Sequence, residues 1–255
     1  MSVALDGRHA VVTGAGSGIG RATTERLAEA GCRVTLIGRH IGRLNESADR
    51  IGEAGFAAPA DVTDAEALAA AIEAGRDRFG PIDILVNNAG AASSAPFLKT
   101  DAADLRAMLA LNLEAPAEAA RLVLPGMLSR RWGRIVNVAS TAGLKGYAYV
   151  SAYVAAKHGL VGLTRALALE VASKGVTVNA VCPGFTDTDL VARSVDAIVG
   201  KTGRTEDEAR AALAVSNPQG RLITPDEVAA TIVWLCGEAA SGINGAAVPV
   251  AGGEL

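Results

Sequence analysis

The chain has 255 residues, half of them hydrophobic, which suits one α/β domain with a large buried core. A net charge of −3 with no basic run argues against a nucleic-acid partner, and no apolar stretch of about 18 residues that would cross a membrane is present. Cys32, Cys182 and Cys236 form no CxxC pair and the first residues show no signal-peptide pattern, so zinc and disulfide frameworks are disfavoured and a cytoplasmic protein is expected.

His9, Ala10, Val11, Val12 and Thr13 make a short apolar run that stops at glycine and reads as a buried strand. Gly14, Ala15, Gly16, Ser17, Gly18, Ile19 and Gly20 follow, leading into a helix-forming stretch at 21–30. A strand, a glycine turn and a helix make a phosphate cradle, because glycines let the backbone approach an anion and the helix start offers unpaired N–H groups. The strict G-x-G-x-x-G fingerprint is not matched, since Ile19 stands where a frame starting at Gly14 needs glycine.

The second strand, 33–38, runs into Arg39 and His40 with no carboxylate. An acidic residue about 20 positions past the glycines would hold a ribose 2′-hydroxyl. Arg39 can instead pair with a 2′-phosphate, which favours NADP(H). A merely solvated Arg39 is the alternative, and with no second basic residue in the glycine loop NAD(H) stays possible.

Residues 41–53 suit a helix and 56–60 a strand ending at Asp61 and Val62. Thr63 with Glu66 reads as a capping box for a helix to about residue 79. Asp61 is placed either to face an adenine or to close a turn. The strand 81–86 leads into Asn87, Asn88, Ala89 and Gly90, where amides can tie neighbouring strands and small residues leave room for a ribose. Helices are expected at 101–111 and 114–129 with Asn112 between them, its amide able to pin a kink or to hold a water near a lysine. The strand 133–139 ends at Ser140 and Thr141. A hydroxyl there can donate to a substrate oxygen, or serve turn chemistry.

The long apolar helix 151–172 carries Tyr153 and Lys157, four residues apart and so on one face. A phenol is a poor proton shuttle at neutral pH, but a nearby ammonium and a cationic cofactor ring favour the phenolate, so the pair suits proton exchange with a carbinol oxygen. A buried ring beside a snorkelling amine is the bland alternative. All three tyrosines, Tyr147, Tyr149 and Tyr153, fall in this region, which suits a cleft wall. A strand at 176–181 ends in a turn through Cys182, Pro183 and Gly184 towards Thr186 and Thr188. The segment 189–219 breaks the alternation, contains a capping box from Thr205 to Glu208, and reads as a lid or binding loop. Thr224, Pro225 and Glu227 open the last helix, and 246–250 is the last strand.

Seven strands alternating with helices predict a doubly wound parallel sheet in one Rossmann-type α/β domain over 1–255. Ligands bind such sheets at the carboxyl ends of strands, where all the segments singled out above lie.

The chain resembles the short-chain dehydrogenase/reductases of about 250 residues. The matching residues are Thr13, Gly14, Gly18, Ile19 and Gly20; Asp61 and Val62; Asn87 to Gly90; Asn112; Ser140; Tyr153 with Lys157; and Pro183 with Gly184, in the family's order over nearly the whole chain. The resemblance implies Tyr153 as general acid/base, Lys157 lowering its pKa and holding the nicotinamide ribose, Ser140 positioning the reacting oxygen and Asn112 keeping a relay water. It implies the glycine loop, Ser17 included, on the pyrophosphate, Asp61 and Val62 beside adenine, Asn88 to Gly90 along the ribose, and Thr186 and Thr188 at the carboxamide. Thr186 stands where the family more often has Ile or Val. Helices like 101–129 and 151–172 and the last strand pair in the family's tetramers, which implies a homotetramer. Within the family the stretches 139–143, 156–159 and 179–184 look most like 3-oxoacyl and polyketide ketoreductases and 3-hydroxyacyl dehydrogenases. An NAD(H)-dependent enzyme of cyclic, aryl or steroid-like alcohols, and a non-catalytic NADP(H) sensor, are the competing readings.

Overall fold

The computed structural model describes residues 4–255, except the side chains at 193, 197 and 201. Seven parallel strands form its sheet: β1 (His9–Thr13), β2 (Arg33–Gly38), β3 (Gly55–Pro59), β4 (Ile84–Asn87), β5 (Gly133–Val138), β6 (Val176–Pro183) and β7 (Ala247–Val250). Their order is β3-β2-β1-β4-β5-β6-β7, so the chain switches direction across the sheet between β1 and β4. Every residue of β1, β4, β5 and β6 is buried, as expected of parallel strands covered on both faces. This is the doubly wound architecture read from the alternation of elements.

The helices are α1 (Gly18–Glu29), α2 (Ile41–Asp49), α3 (Ala65–Phe79), α4 (Ala102–Leu109), α5 (Ala115–Arg130), α6 (Ser151–Val171), α7 (Asp189–Thr202), α8 (Glu206–Ala214) and α9 (Pro225–Cys236). One core layer joins the sheet to Leu27 of α1, Leu44 of α2 and Val228, Ile232 and Leu235 of α9. The opposite layer takes Leu68 and Ile72 of α3, Val123 and Met127 of α5 and Val171 of α6. The segment 189–219 forms α7 and α8, which close a small separate core around Val191, Val195 and Ala209. No described helix is long and apolar enough to cross a membrane.

Three local expectations need correction. Thr63 does not cap α3. Asp64 does, accepting from Glu66 N and Ala67 N at 3.0 and 3.1 Å, while the Thr63 hydroxyl turns to Asp61 Oδ1 at 2.8 Å. An acceptor-only carboxylate beside the positive end of the helix displaces a hydroxyl that has a better partner behind it. The helix expected over 41–53 ends at Asp49, and a 3₁₀ turn at Gly52–Ala54 completes the path to β3. The strand expected over 81–86 begins only at Ile84. The capping boxes at Thr205 and Thr224 form as read.

Candidate active site

Because all seven strands are parallel, their carboxyl ends share one edge, and a cleft of about 1080 Å³ runs along it. Gly14, Ser17, Gly18 and Ile19 line one end. Ser17 precedes α1 and its side chain makes no cap bond, so the first N–H groups of the helix keep no side-chain acceptor. Thr13 and Gly20 do not reach the cleft. The Thr13 hydroxyl accepts from Asn88 N and Ala89 N, both at 3.0 Å, and Asn88 Nδ2 donates to Thr13 O at 2.9 Å. A Cβ on Gly20 would lie 2.1 Å from Gly14 O, and Gly14 itself has φ +66°. These glycines let the loop fold back on the end of β4.

Arg39 lines the cleft beside Asp61, and among the described residues it makes no hydrogen bond. Asp61 closes a turn through the Thr63 amide and hydroxyl, which hold its carboxyl below the usual range, and it lines the cleft together with Val62. Both roles weighed for Asp61 are thus open to it in one conformation. A second cation also reaches the lining: Arg43 of α2, ion-paired at 2.9 Å with Asp189 at the start of α7.

At the centre, Asn87 Nδ2 donates to Asn137 Oδ1 at 2.9 Å, and Asn137 Nδ2 to Thr164 Oγ1 at 2.9 Å, tying β4, β5 and α6 together. Asn88, Ala89 and Gly90 line the cleft. Asn112 is fully buried inside a π-turn, Ala110–Glu114, between α4 and α5. Its Nδ2 donates to Met108 O and Ala91 O, both at 3.1 Å, so the amide does pin a distortion. Its Oδ1 is buried with no hydrogen-bond partner in the chain. A Cβ on Gly90 would lie 2.9 Å from that oxygen and 3.5 Å from Lys157 Nζ, so both groups border the same small space.

Ser140, Tyr153 and Lys157 meet on the far side of this space, all lining the cleft. Ser140 opens a 3₁₀ turn and accepts from Ala142 N at 3.1 Å. Lys157 is buried and donates to Val138 O at 2.8 Å, and its Nζ sits 5.7 Å from the centre of the Tyr153 ring. Burial pushes the Lys157 ammonium down to about 8. Burial pushes the Tyr153 phenol up, with the facing Ser140 hydroxyl acting the other way. In the protein without its cofactor, desolvation is the larger effect on Tyr153, and the lowering expected from Lys157 together with a cationic cofactor ring needs that ring in place.

Pro183, Gly184, Thr186 and Thr188 continue the wall from β6, with Thr188 next to α7. Tyr147 lines the cleft, whereas Tyr149 is 66% exposed, at φ +67°, and lies outside it. Glu254 was missed from the sequence. It follows β7 and reaches Tyr147 and Lys145 across 107 and 109 residues of chain, a pairing no local pattern signals.

The residues present fit a dinucleotide. Glycines that no side chain could replace, an open helix start and Arg39 leave polar groups along the cleft without their own partners, while Asn112 does not reach the lining and its orphaned oxygen lies buried behind Gly90, beside Lys157.

Comparison with known proteins agrees. The family model for short chain dehydrogenases matches residues 8–198. A D-beta-hydroxybutyrate dehydrogenase of Cupriavidus necator is 40% identical over 255 residues, covering 98% of each chain. A 3-oxoacyl-[acyl-carrier-protein] reductase of Vibrio cholerae is 38% identical over 249 residues, again 98% of each. The crystal structure of a variant actinorhodin polyketide ketoreductase with NADPH superposes with a TM-score of 0.93 at 35% identity, over 97% of each chain. The chain belongs to the short-chain dehydrogenase family and is an oxidoreductase of its NAD(P)-dependent, hydroxyl- and keto-group kind.

Proposed function

We propose that the protein is an NADP(H)-preferring oxidoreductase that interconverts a ketone and a secondary alcohol, with a substrate of 3-oxoacyl or 3-hydroxyacyl type. The observation that carries the reading is the meeting of Ser140, Tyr153 and Lys157 on one wall of a cleft that ends in the glycine loop. Gly14 to Ile19 would hold the pyrophosphate, Arg39 the 2′-phosphate, Asp61 and Val62 the adenine side, Asn88 to Gly90 and Lys157 the ribose, and Pro183 to Thr188 the carboxamide. Bound there, the nicotinamide would supply the hydride and, when oxidised, the positive charge that brings Tyr153 within reach of neutral pH.

In reduction Tyr153 gives its proton to the carbonyl oxygen while Ser140 donates a hydrogen bond to the same atom. In oxidation Tyr153 takes the proton back. Lys157, anchored on Val138 O, and a water that the free Asn112 Oδ1 would hold refill the proton through the space beside Gly90. The segments 91–97, 144–150 and 189–219 bring Ala91, Ala92, Val150, Leu190 and Val191 to the lining, and no cation among the described side chains. Of the two relatives, the acyl-carrier-protein reductase supports a 3-oxoacyl substrate and the D-beta-hydroxybutyrate dehydrogenase a small 3-hydroxy acid, which share the 3-oxo/3-hydroxy pattern. A cytoplasmic homotetramer belongs to the same reading, and Leu169 on α6, 82% exposed, suits a covered helix face.

The test is nicotinamide absorbance at saturating NADPH and NADH against a 3-oxoacyl thioester, an aryl ketone and a fused-ring ketone. Tyr153→Phe should keep cofactor affinity and lose more than nine-tenths of turnover, by roughly 10²-fold or more. Turnover of ring or aryl ketones alone would move the substrate class. Cofactor binding with no turnover of any carbonyl would make the protein a sensor.

A further inference from the structure

After the 3₁₀ turn at Thr141–Gly143 the chain runs from 144 to 150 without helix or strand before α6 begins. This stretch carries Tyr147 into the cleft wall, beside Thr141, the neighbour of Ser140. Its anchor comes from beyond β7. The Glu254 side chain is 1% exposed, and its Oε1 accepts from the Tyr147 hydroxyl and lies 3.1 Å from Lys145 Nζ. Lys145 also donates to Glu254 O at 3.2 Å. The Tyr147 oxygen is 2.6 Å from Thr141 Oγ1, and its ring stands edge-on to Phe185 at 6.5 Å. A phenol has one proton and a carboxylate only accepts, so the directions are forced: Thr141 donates to Tyr147, and Tyr147 donates to Glu254. The second carboxylate oxygen, Oε2, is buried with no partner in the chain and sits 3.0 Å from where a Cβ on Gly184 would be.

The cleft therefore has two phenols in its lining, Tyr147 and Tyr153, and only one of them is tied to a carboxylate. We propose that Glu254 is a positioning residue of the substrate pocket: it holds the Tyr147 proton and clamps 144–150 against the end of β6. Among the described residues this leaves Tyr153 as the one phenol in the cleft able to exchange its proton with substrate. Charged and titratable groups reach Tyr147 from three sides: Glu254 after β7, Lys145 with Nζ 5.2 Å from the ring centre, and Tyr153 on α6. Burial and the Glu254 hydrogen bond push the Tyr147 phenol well up, against a smaller opposing effect of Thr141. The substrate part of this proposal rests on the ketone–alcohol reading. The proton tie can be read without turnover.

The chain has three tyrosines, so its tyrosinate absorbance is simple to titrate. Wild type and Tyr147→Phe should give the same signal up to about pH 11, because Tyr147 stays protonated there. Glu254→Ala removes the second of the two causes that hold Tyr147 up, burial being the larger, so it should bring part of one more tyrosine into that range, and Glu254→Ala combined with Tyr147→Phe should remove it again. Glu254→Gln, whose amide oxygen still accepts from Tyr147, should add less and serves if the alanine variant does not fold. In kinetics, Glu254→Ala should raise the KM for the ketone about tenfold with the cofactor Kd unchanged within about twofold, and Glu254→Gln should recover most of the loss. No added tyrosine in either Glu254 variant, or a ketone KM that does not move, overturns the proposal. An added tyrosine in a protein that reduces no ketone overturns the functional reading while the proton tie stands.

Discussion

The two ends of the cleft are built differently. At the glycine-loop end, side chains bond directly to main chain: the Thr13 hydroxyl and the Asn88 amide lock β1 to β4 through bonds of 2.9–3.2 Å, and there is no room for a single added carbon at Gly20. At the substrate end, the pieces are held by side-chain ion pairs that are partly or largely exposed, Arg43 with Asp189 and Arg210 with Asp187, and by a small core around Val191, Val195 and Ala209. Exposed pairs of that kind contribute about 0–1 kcal/mol each. One end is precise because the group it takes does not vary. The other is adjustable, and sequence differences there cost little stability.

The contrast can be broken most severely at Gly20. Gly20→Val puts carbon against Gly14 O and Asn88 Nδ2 and should cost more than about 4 kcal/mol, read from the urea midpoint. A loss under about 1 kcal/mol would mean that the loop yields and the contrast is false. Arg39→Asp should lower the NADPH-to-NADH ratio of kcat/KM about 100-fold, close to 2.7 kcal/mol. If the ratio holds, the 2′-phosphate is not read by Arg39, and Arg43, which also lines the cleft and pairs with Asp189, is the next residue to replace.

Lys157 sharpens the comparison through pH. Its folded pKa of about 8 lies below the ordinary 10.5, so between these values the unfolded chain binds more protons and stability rises with pH. From pH 8 to 9.5 wild type should gain on the order of 1–2 kcal/mol relative to Lys157→Met in parallel urea titrations. The difference removes the contribution of Cys32, whose folded pKa is raised to about 12 and which acts in the opposite sense, whereas Cys182, raised to about 11, faces Lys157 and adds a smaller coupled part. A zero difference would place the ammonium in water. The smallest effect belongs to the substrate end: Thr205→Ala removes the cap of α8 at about 1 kcal/mol. It should speed amide exchange over 189–214 and leave exchange at 9–20 as it was, while equal acceleration at both ends would show one cooperative unit.

The glycine-loop end was legible in the sequence for the same reason that it is rigid. Its chemistry is local: a strand, a glycine turn and a helix start lie within residues 9–20, and Tyr153 and Lys157 are one helical turn apart. Thr63 was misread because two residues able to cap stand side by side, and the choice depended on where Asp61 points. The direction in which Tyr153 is pushed was not legible, because spacing shows a lysine nearby but not how deeply the phenol is buried. Glu254 was invisible, since its partners depend on the path of 251–255 past the end of β6.

The π-turn at Ala110–Glu114 makes α4 and α5 a rod out of phase with itself. Each residue turns a helix by about 100°, so one residue too many swings everything beyond it to a different bearing. Removing Leu113 would restore a regular rod with a better hydrogen-bond ladder, and would carry Asn112 away from Ala91 and the space beside Lys157. A procedure that ranks variants on helical regularity would select that deletion and dismantle the proposed proton path in the same stroke.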